Sequence, residues 1–296
     1  MRRRAFLLGS TLALPWWVAP PAAAKTPASS ALDAIDLELE GRWARRALVL
    51  VPRGRQRHRA LLILLHGLGE TGNELLGIHA WGERYGLVRA YERLLNPPVT
   101  PENPKLGYLE AQRAAELNSS LEKSPFAGLV MVCPVTPNPY RGDAAKVLDG
   151  YGAWIEETLL PAVRRRLAIG EAPIAVGLDG CSLGGYVGLE VLLARPGLFS
   201  SFGVVQPAIS AATAGRYAER LASAVASAGP LPIHIETSSL DPYREPSQLL
   251  ARKLTELGVP NQFRHSPGPH DQPWLREVGT LEMLLWHDRQ LNHPAR

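Results

Sequence analysis

Residues 174–184 read Ile-Ala-Val-Gly-Leu-Asp-Gly-Cys-Ser-Leu-Gly, an apolar run that breaks into Gly-x-Ser-x-Gly and then into a helical pattern. A continuous apolar run is what a strand buried on both faces looks like. A serine between two glycines at the end of such a strand is the pattern of a nucleophile elbow. There the serine sits on a tight, strained turn, and side chains two positions away would clash. Gly180 and Gly184 meet that demand, and Ser182 is the candidate nucleophile.

Similar runs recur along the chain at Ala60–Leu65, Leu129–Val132, Phe202–Val205, Ile233–Ile235 and, more weakly, Asn261–Arg264. Helical periodicity falls between them, at Tyr151–Leu167, Leu183–Arg195, Pro246–Gly258 and Trp274–Leu291, the last expected to be amphipathic. Pro161 is expected to weaken or kink the first of these. Such alternation predicts an α/β fold, a mostly parallel sheet covered by helices on both faces. Ile35–Glu40 alternates apolar and acidic residues, and Ala47–Val51 follows after Gly41. These two segments predict an antiparallel hairpin. Residues 70–126 are long for one crossover and rich in Pro and Asn near 96–104. They read as a helix plus an excursion over the sheet edge, able to form part of a substrate pocket.

The formal net charge is +4, but Arg2, Arg3 and Arg4 supply most of the excess. The nearly neutral remainder has no electrostatic footprint for nucleic acid. Those arginines precede an apolar run ending in Pro20-Pro21-Ala22-Ala23-Ala24. Residues 1–24 therefore read as a twin-arginine-type signal cut after Ala24, sending the protein to the periplasm or outside the cell. The run is too short, and broken by Pro15, for a stable membrane anchor. Residues 25–34 read as a flexible leader and 35–296 as the folded domain. Cys133 and Cys181 match no metal spacing, and no disulfide between them is expected, because the Ala60–Leu65 strand should separate theirs. No metal site is expected.

Serine at neutral pH needs a base to become a nucleophile. His270 lies in the turn-rich stretch Ser266-Pro267-Gly268-Pro269-His270-Asp271, between the last strand and the last helix. A base that must swing over the elbow belongs there. His234 reads as packed in a strand. The acid that orients the imidazole is Asp241, at the end of a strand and before Pro242; Glu236 and Asp271 are its rivals. Two amides should receive the developing oxyanion. Leu183 supplies one, and Leu68 in His66-Gly67-Leu68-Gly69 the other, with Gly69 as the alternative. His66 reads as a structural hydrogen-bonder, and Cys181 as a buried small hydrophobe.

At Leu61–Glu70, Gly177–Tyr186, Arg195–Phe199, Asp241 and Pro267–Trp274 the chain resembles esterase-type α/β-hydrolases, the branch of polyhydroxybutyrate depolymerase-like, feruloyl esterase-like and esterase D-like proteins. The resemblance spans nearly all of residues 35–290. It implies a three-layer sandwich around an eight-stranded sheet, hydrolysis of a small-molecule or polymer ester through an acyl-enzyme, and no cofactor. The same triad would serve an acyltransferase or a peptidase. A non-catalytic binding protein of this fold is the reading from another class.

Overall fold

The computed structural model describes residues 31–54, 60–170 and 174–293. The expected signal at 1–24 and most of the expected leader lie outside them. Strands β1 (Leu32–Glu38) and β2 (Arg46–Pro52) form the expected antiparallel hairpin. β1 starts at Leu32, ahead of the expected Ile35, because its pairing with β2 continues out to Pro52. β3 (Ala60–Leu65) follows as expected.

Residues 70–126 hold more helix than expected. They contain α1 (Glu74–His79), a π-turn at Ala80–Arg84, α2 (Leu87–Leu95) and α3 (Ala111–Lys123), with a cis bond between Pro97 and Pro98. After β4 (Val130–Pro134) come α4 (Ala144–Trp154) and α5 (Leu160–Arg166), joined through a π-turn at Ile155–Leu159. Pro161 follows that π-turn inside a continuous helical path, so its missing N–H falls where the i→i−4 ladder is already interrupted. β5 (Ala175–Gly180) leads into α6 (Leu183–Ala194). β6 (Ser201–Val205), α7 (Ala211–Ala228), β7 (Ile233–Leu240), α8 (Arg244–Glu256) and β8 (Asn261–Pro269) continue the alternation. The chain closes with α9 (Gln272–Trp274), a π-turn at Leu275–Gly279 and α10 (Thr280–Asn292).

The sheet has eight strands in the order β1-β2-β4-β3-β5-β6-β7-β8. All neighbours from β4 to β8 run parallel; β2 is antiparallel to both β1 and β4. Period-two alternation assigns the two faces. Leu178 and Phe202 lie beside Gly188 of α6, whereas Gly177 and Gly203 face His287 of α10. Helices thus cover both faces. Cys133 and Cys181 are free and buried, and β3 lies between their strands.

Thr280–Asp288 of α10 is buried on every side, so the last helix is not amphipathic. The sheet takes one side, and residues 93–128 cover the other. The Glu277 carboxylate accepts the Glu102 and Asn103 amides, at 2.8 and 3.1 Å, and its carbonyl accepts from Arg93. Arg113 pairs with Glu282, and Asp288 accepts the Ala127 and Gly128 amides. The Pro- and Asn-rich stretch is therefore the outer wall of a buried helix.

A polar seam runs under α10. Asp179 Oδ2 lies 3.0 Å from His287 Nε2, and His287 Nδ1 lies 2.8 Å from Ser201 Oγ. Burial raises the Asp179 pKa well above the carboxylate range and lowers that of His287 to about 3. Burial thus disfavours the charged form of each group in this seam. A Cβ at Gly203 would lie 1.9 Å from Asp179 Oδ2; glycine there makes room for the seam.

His234 packs within β7, stacked on Trp286 at 5.0 Å. Burial, reinforced by His287, Arg264 and Arg113, lowers its pKa from 6.5 to about 3. Between those values the unfolded chain binds a proton that the fold refuses. Stability tied to neutral His234 is thus present above about pH 6.5 and lost as pH falls toward 3. His234→Phe removes that linkage. Thermal melts from about pH 7 to about pH 4 should show the wild type losing ground to the variant as pH falls. A Tm difference independent of pH contradicts this.

Candidate active site

The elbow is built by backbone contact. Gly184 N–H donates to the Cys181 carbonyl at 2.7 Å, and Cys181 N–H to the Leu65 carbonyl at 3.1 Å. A Cβ on Gly180 would fall 2.4 Å from the Gly184 carbonyl, and one on Gly184 would fall 2.1 Å from that of Leu65. Backbone cannot yield there as a flexible side chain could. The turn drives Ser182 to φ 54°, ψ −117°, a region that non-glycine residues seldom occupy. It stays there because its amide donates to the Val205 carbonyl at 3.0 Å and its own carbonyl accepts from Ala208 at 2.9 Å. Cys181 points inward, and burial raises its thiol pKa well above the usual value.

His270 follows directly on the end of β8, because the strand continues through Pro267-Gly268-Pro269 instead of stopping at Arg264. The expected turn-rich loop is in fact strand, paired to β7 as far as Leu240 and Pro269. Strand pairing therefore sets the imidazole next to Asp241, with His270 Nδ1 2.9 Å from Asp241 Oδ1. Asp241 also accepts from the Thr237 hydroxyl at 2.6 Å and from the Tyr243 amide at 3.0 Å. The carboxylate is buried, while the imidazole is 25% exposed. With Nδ1–H donated to Asp241, Nε2 carries the free lone pair.

The rivals go elsewhere. Asp271 caps α9 by accepting the Trp274 amide at 2.9 Å. Glu236 is wholly buried, and its titratable neighbours are Glu282, Asp179, Arg264 and Arg113, on the α10 side.

Gln206, just past β6, ties the two loops together. Val205 beside it receives the Ser182 amide, and the Gln206 side chain donates to the Pro269 carbonyl at 3.0 Å and to Ser238 Oγ at 2.7 Å. Elbow and histidine are thus pinned to consecutive residues of one strand end.

The loop after β3 completes the site. Gly67 stands beside Ser182, since a Cβ there would lie 3.7 Å from Ser182 Cβ. His66 is buried, which lowers its pKa and keeps it neutral. Its Nε2 accepts the Thr136 amide at 2.8 Å, so Nδ1 carries the proton and donates to the Gly67 carbonyl at 2.9 Å. In a trans peptide the Leu68 N–H points opposite to that carbonyl. Among the described residues, neither the Leu68 nor the Leu183 amide donates to a protein acceptor. The rim is aromatic and apolar. Tyr243 meets His270 edge-on at 5.4 Å, Tyr140 stacks parallel to Tyr186 at 6.3 Å, and Leu68 and Leu240 are exposed.

Thr237, Gln206, Tyr243 and Thr136 were not singled out in the sequence. Gln206 and Thr136 act on residues far away in sequence, Thr237 and Tyr243 on Asp241 a few residues off, and no local pattern marks any of them. Among the described residues no group of three or more His, Cys, Asp or Glu is arranged to hold a metal ion, and no helix is long and apolar enough to cross a membrane.

No protein-family model matches the chain, and no curated protein matches it in sequence. Solved structures do match in shape. A ferulic acid esterase superposes with a TM-score of 0.60 at 14% identity, over 88% of this chain and 99% of its own. An S-formylglutathione hydrolase from Agrobacterium tumefaciens gives 0.56 at 15%, over 87% and 94%. The ferric enterobactin esterase of Salmonella typhimurium gives 0.54 at 20%, over 90% of this chain and 60% of its own. The chain has the α/β-hydrolase fold.

Gly184→Ala should cost about 1–3 kcal/mol or more, since the added methyl meets the Leu65 carbonyl and cannot be absorbed by a rotamer change. Denaturant unfolding measures it, and an unchanged midpoint contradicts the packing described for the elbow.

Proposed function

We propose that the protein is a serine hydrolase that cleaves a carboxylic ester through an acyl-enzyme on Ser182. The observation that carries this reading is the Asp241–His270 pair, 2.9 Å apart and bound through Gln206 to the strand end that holds the strained Ser182. The Ser182 hydroxyl attacks the ester carbonyl as His270 Nε2 removes its proton. Asp241, already accepting from Thr237 and Tyr243, fixes the tautomer and stabilises the imidazolium. The Leu68 and Leu183 amides receive the oxyanion. His270 returns the proton to the leaving alcohol and then activates water to release the acid. Small-molecule and polymer esters both fit an open, aromatic rim.

Ser182→Ala should lower kcat on an activated ester such as p-nitrophenyl acetate by roughly 10³- to 10⁶-fold, with the Tm kept. Fluorophosphonate labelling should vanish with it. Asp241→Asn should cost roughly 10²- to 10⁴-fold, because the amide can donate to Nδ1 and hold the wrong tautomer. A folded Ser182→Ala variant with wild-type turnover rules the reading out. Water is proposed as the acyl acceptor, and an ester or amide product formed with competing alcohols or amines would reassign the enzyme as a transferase.

We also propose export through residues 1–24, on the strength of Arg2-Arg3-Arg4 and the small residues ending at Ala24. In an exporting host the mature protein should begin at Lys25. Replacing all three arginines with lysine should leave uncut precursor in the cytoplasm. Mature protein outside the cytoplasm at wild-type levels would contradict this.

A further inference from the structure

The Gly67 amide could be expected to serve as an oxyanion donor, but it is already engaged. It donates to the Tyr85 hydroxyl at 3.2 Å. That hydroxyl in turn donates to Glu70 Oε2 at 2.6 Å, and Glu70 Oε1 is paired with Arg84 at 3.1 Å. Tyr85 and Glu70 are buried, and the tyrosine ring is fixed edge-on by Trp81 at 5.1 Å. Thr280 Oγ1 donates to the Tyr85 carbonyl at 2.6 Å and fixes its backbone. All of this lies outside the residues assigned to the triad and the oxyanion hole.

We propose that Tyr85, held by Glu70 and Arg84, is a positioning residue that locks the Gly67 peptide so that the neighbouring Leu68 amide stays aimed at the oxyanion.

Geometry sets this role, given the hydrolase reading above. Two consecutive peptide units set the Leu68 N–H direction. His66 Nδ1 holds the carbonyl of the second unit. Tyr85 holds the amide of the first. Between them lies Gly67, the residue whose backbone turns most easily. With only one unit held, rotation about the glycine dihedrals would swing the Leu68 amide off target. Two plane restraints on a glycine replace the stiffness a side chain would provide. A side chain there would press on the clamp itself, since a Cβ would sit 3.2 Å from the Tyr85 oxygen.

The proton count closes. The phenol has one proton, given to Glu70, and an oxygen lone pair left to accept from Gly67. Burial raises the Tyr85 pKa, keeping the phenol neutral and able to donate. The paired carboxylate pulls electron density onto the phenol oxygen and strengthens the acceptor that Gly67 sees. Arg84 compensates the buried charge of Glu70.

Tyr85→Phe removes one oxygen and keeps the ring. On p-nitrophenyl acetate, kcat is expected to fall about 10- to 100-fold with KM within about twofold, because only transition-state stabilisation is lost. Fluorophosphonate titration should give the wild-type fraction of reactive sites. Inhibition by phenylboronic acid, which forms a tetrahedral adduct, should weaken by the same factor as kcat. Glu70→Gln keeps an acceptor for the phenol and should lose less than Glu70→Ala. A Tyr85→Phe enzyme with wild-type kcat and boronate affinity overturns the clamp. So does a kcat loss matched by an equal loss of titratable sites, since that marks a structural role alone. Wild-type protein that hydrolyses no ester in a broad panel overturns the hydrolase reading beneath it.

Discussion

The contact on which this architecture depends is the absence of a side chain at residue 184. The helix after β5 can start against the Leu65 carbonyl only because Gly184 has no Cβ, and the chain can reach that start only by driving Ser182 into a strained conformation. Strain of this kind persists only where the surroundings over-determine it. Here β3 supplies the Leu65 carbonyl, β6 supplies the Val205 carbonyl, and the Ala208 amide returns to Ser182. Two segments of chain, the end of β3 and the stretch from Val205 to Ala208, hold one serine out at the carboxyl end of the parallel sheet, where the crevice of an open α/β fold lies.

Sheet order then brings the other groups to the same end. β3 and β6 flank β5, so the loop after one carries Gly67 and Leu68, and the residue after the other carries Gln206. Gln206 reaches over β7 to the carbonyl of the residue before His270. The histidine is placed by strand pairing more than by a loop. β8 runs on to Pro269, and its last pairing is with Leu240, the residue before Asp241. Asp241 and His270 follow directly on the ends of adjacent strands, and Thr237 and Tyr243 complete the hydrogen bonds of the carboxylate.

Much of this was legible in the sequence because it is written locally. β3 and the elbow are continuous patterns, and glycine positions report steric demands directly. Asp241 was singled out by its order after Ser182 and its position at a strand end, and His270 by that order and the turn-rich stretch around it. What escaped is non-local or compositionally muted. α7 packs on Ala214, Tyr217, Ala218 and Leu221, residues mostly too small to give its helical period an apolar signal. The last helix looked amphipathic because Glu282 and Asp288 are polar, but Arg113 and the Ala127 and Gly128 amides satisfy them in the interior. β8 was cut short because Pro267-Gly268-Pro269 is turn chemistry in isolation, and only pairing to β7 makes it strand. Tyr85 gave no signal, because the partners of its hydroxyl, Gly67 and Glu70, lie 18 and 15 residues away in sequence.

The claim at the centre is that Ser182 becomes covalently acylated, and rapid-quench mass spectrometry of the mature enzyme with p-nitrophenyl acetate tests it most directly. The account expects one acetyl group per active site within the first turnover, mapped to the peptide carrying Ser182, with a matching burst of nitrophenol. An acetyl group on a different residue, or a burst that survives Ser182→Ala, would contradict it.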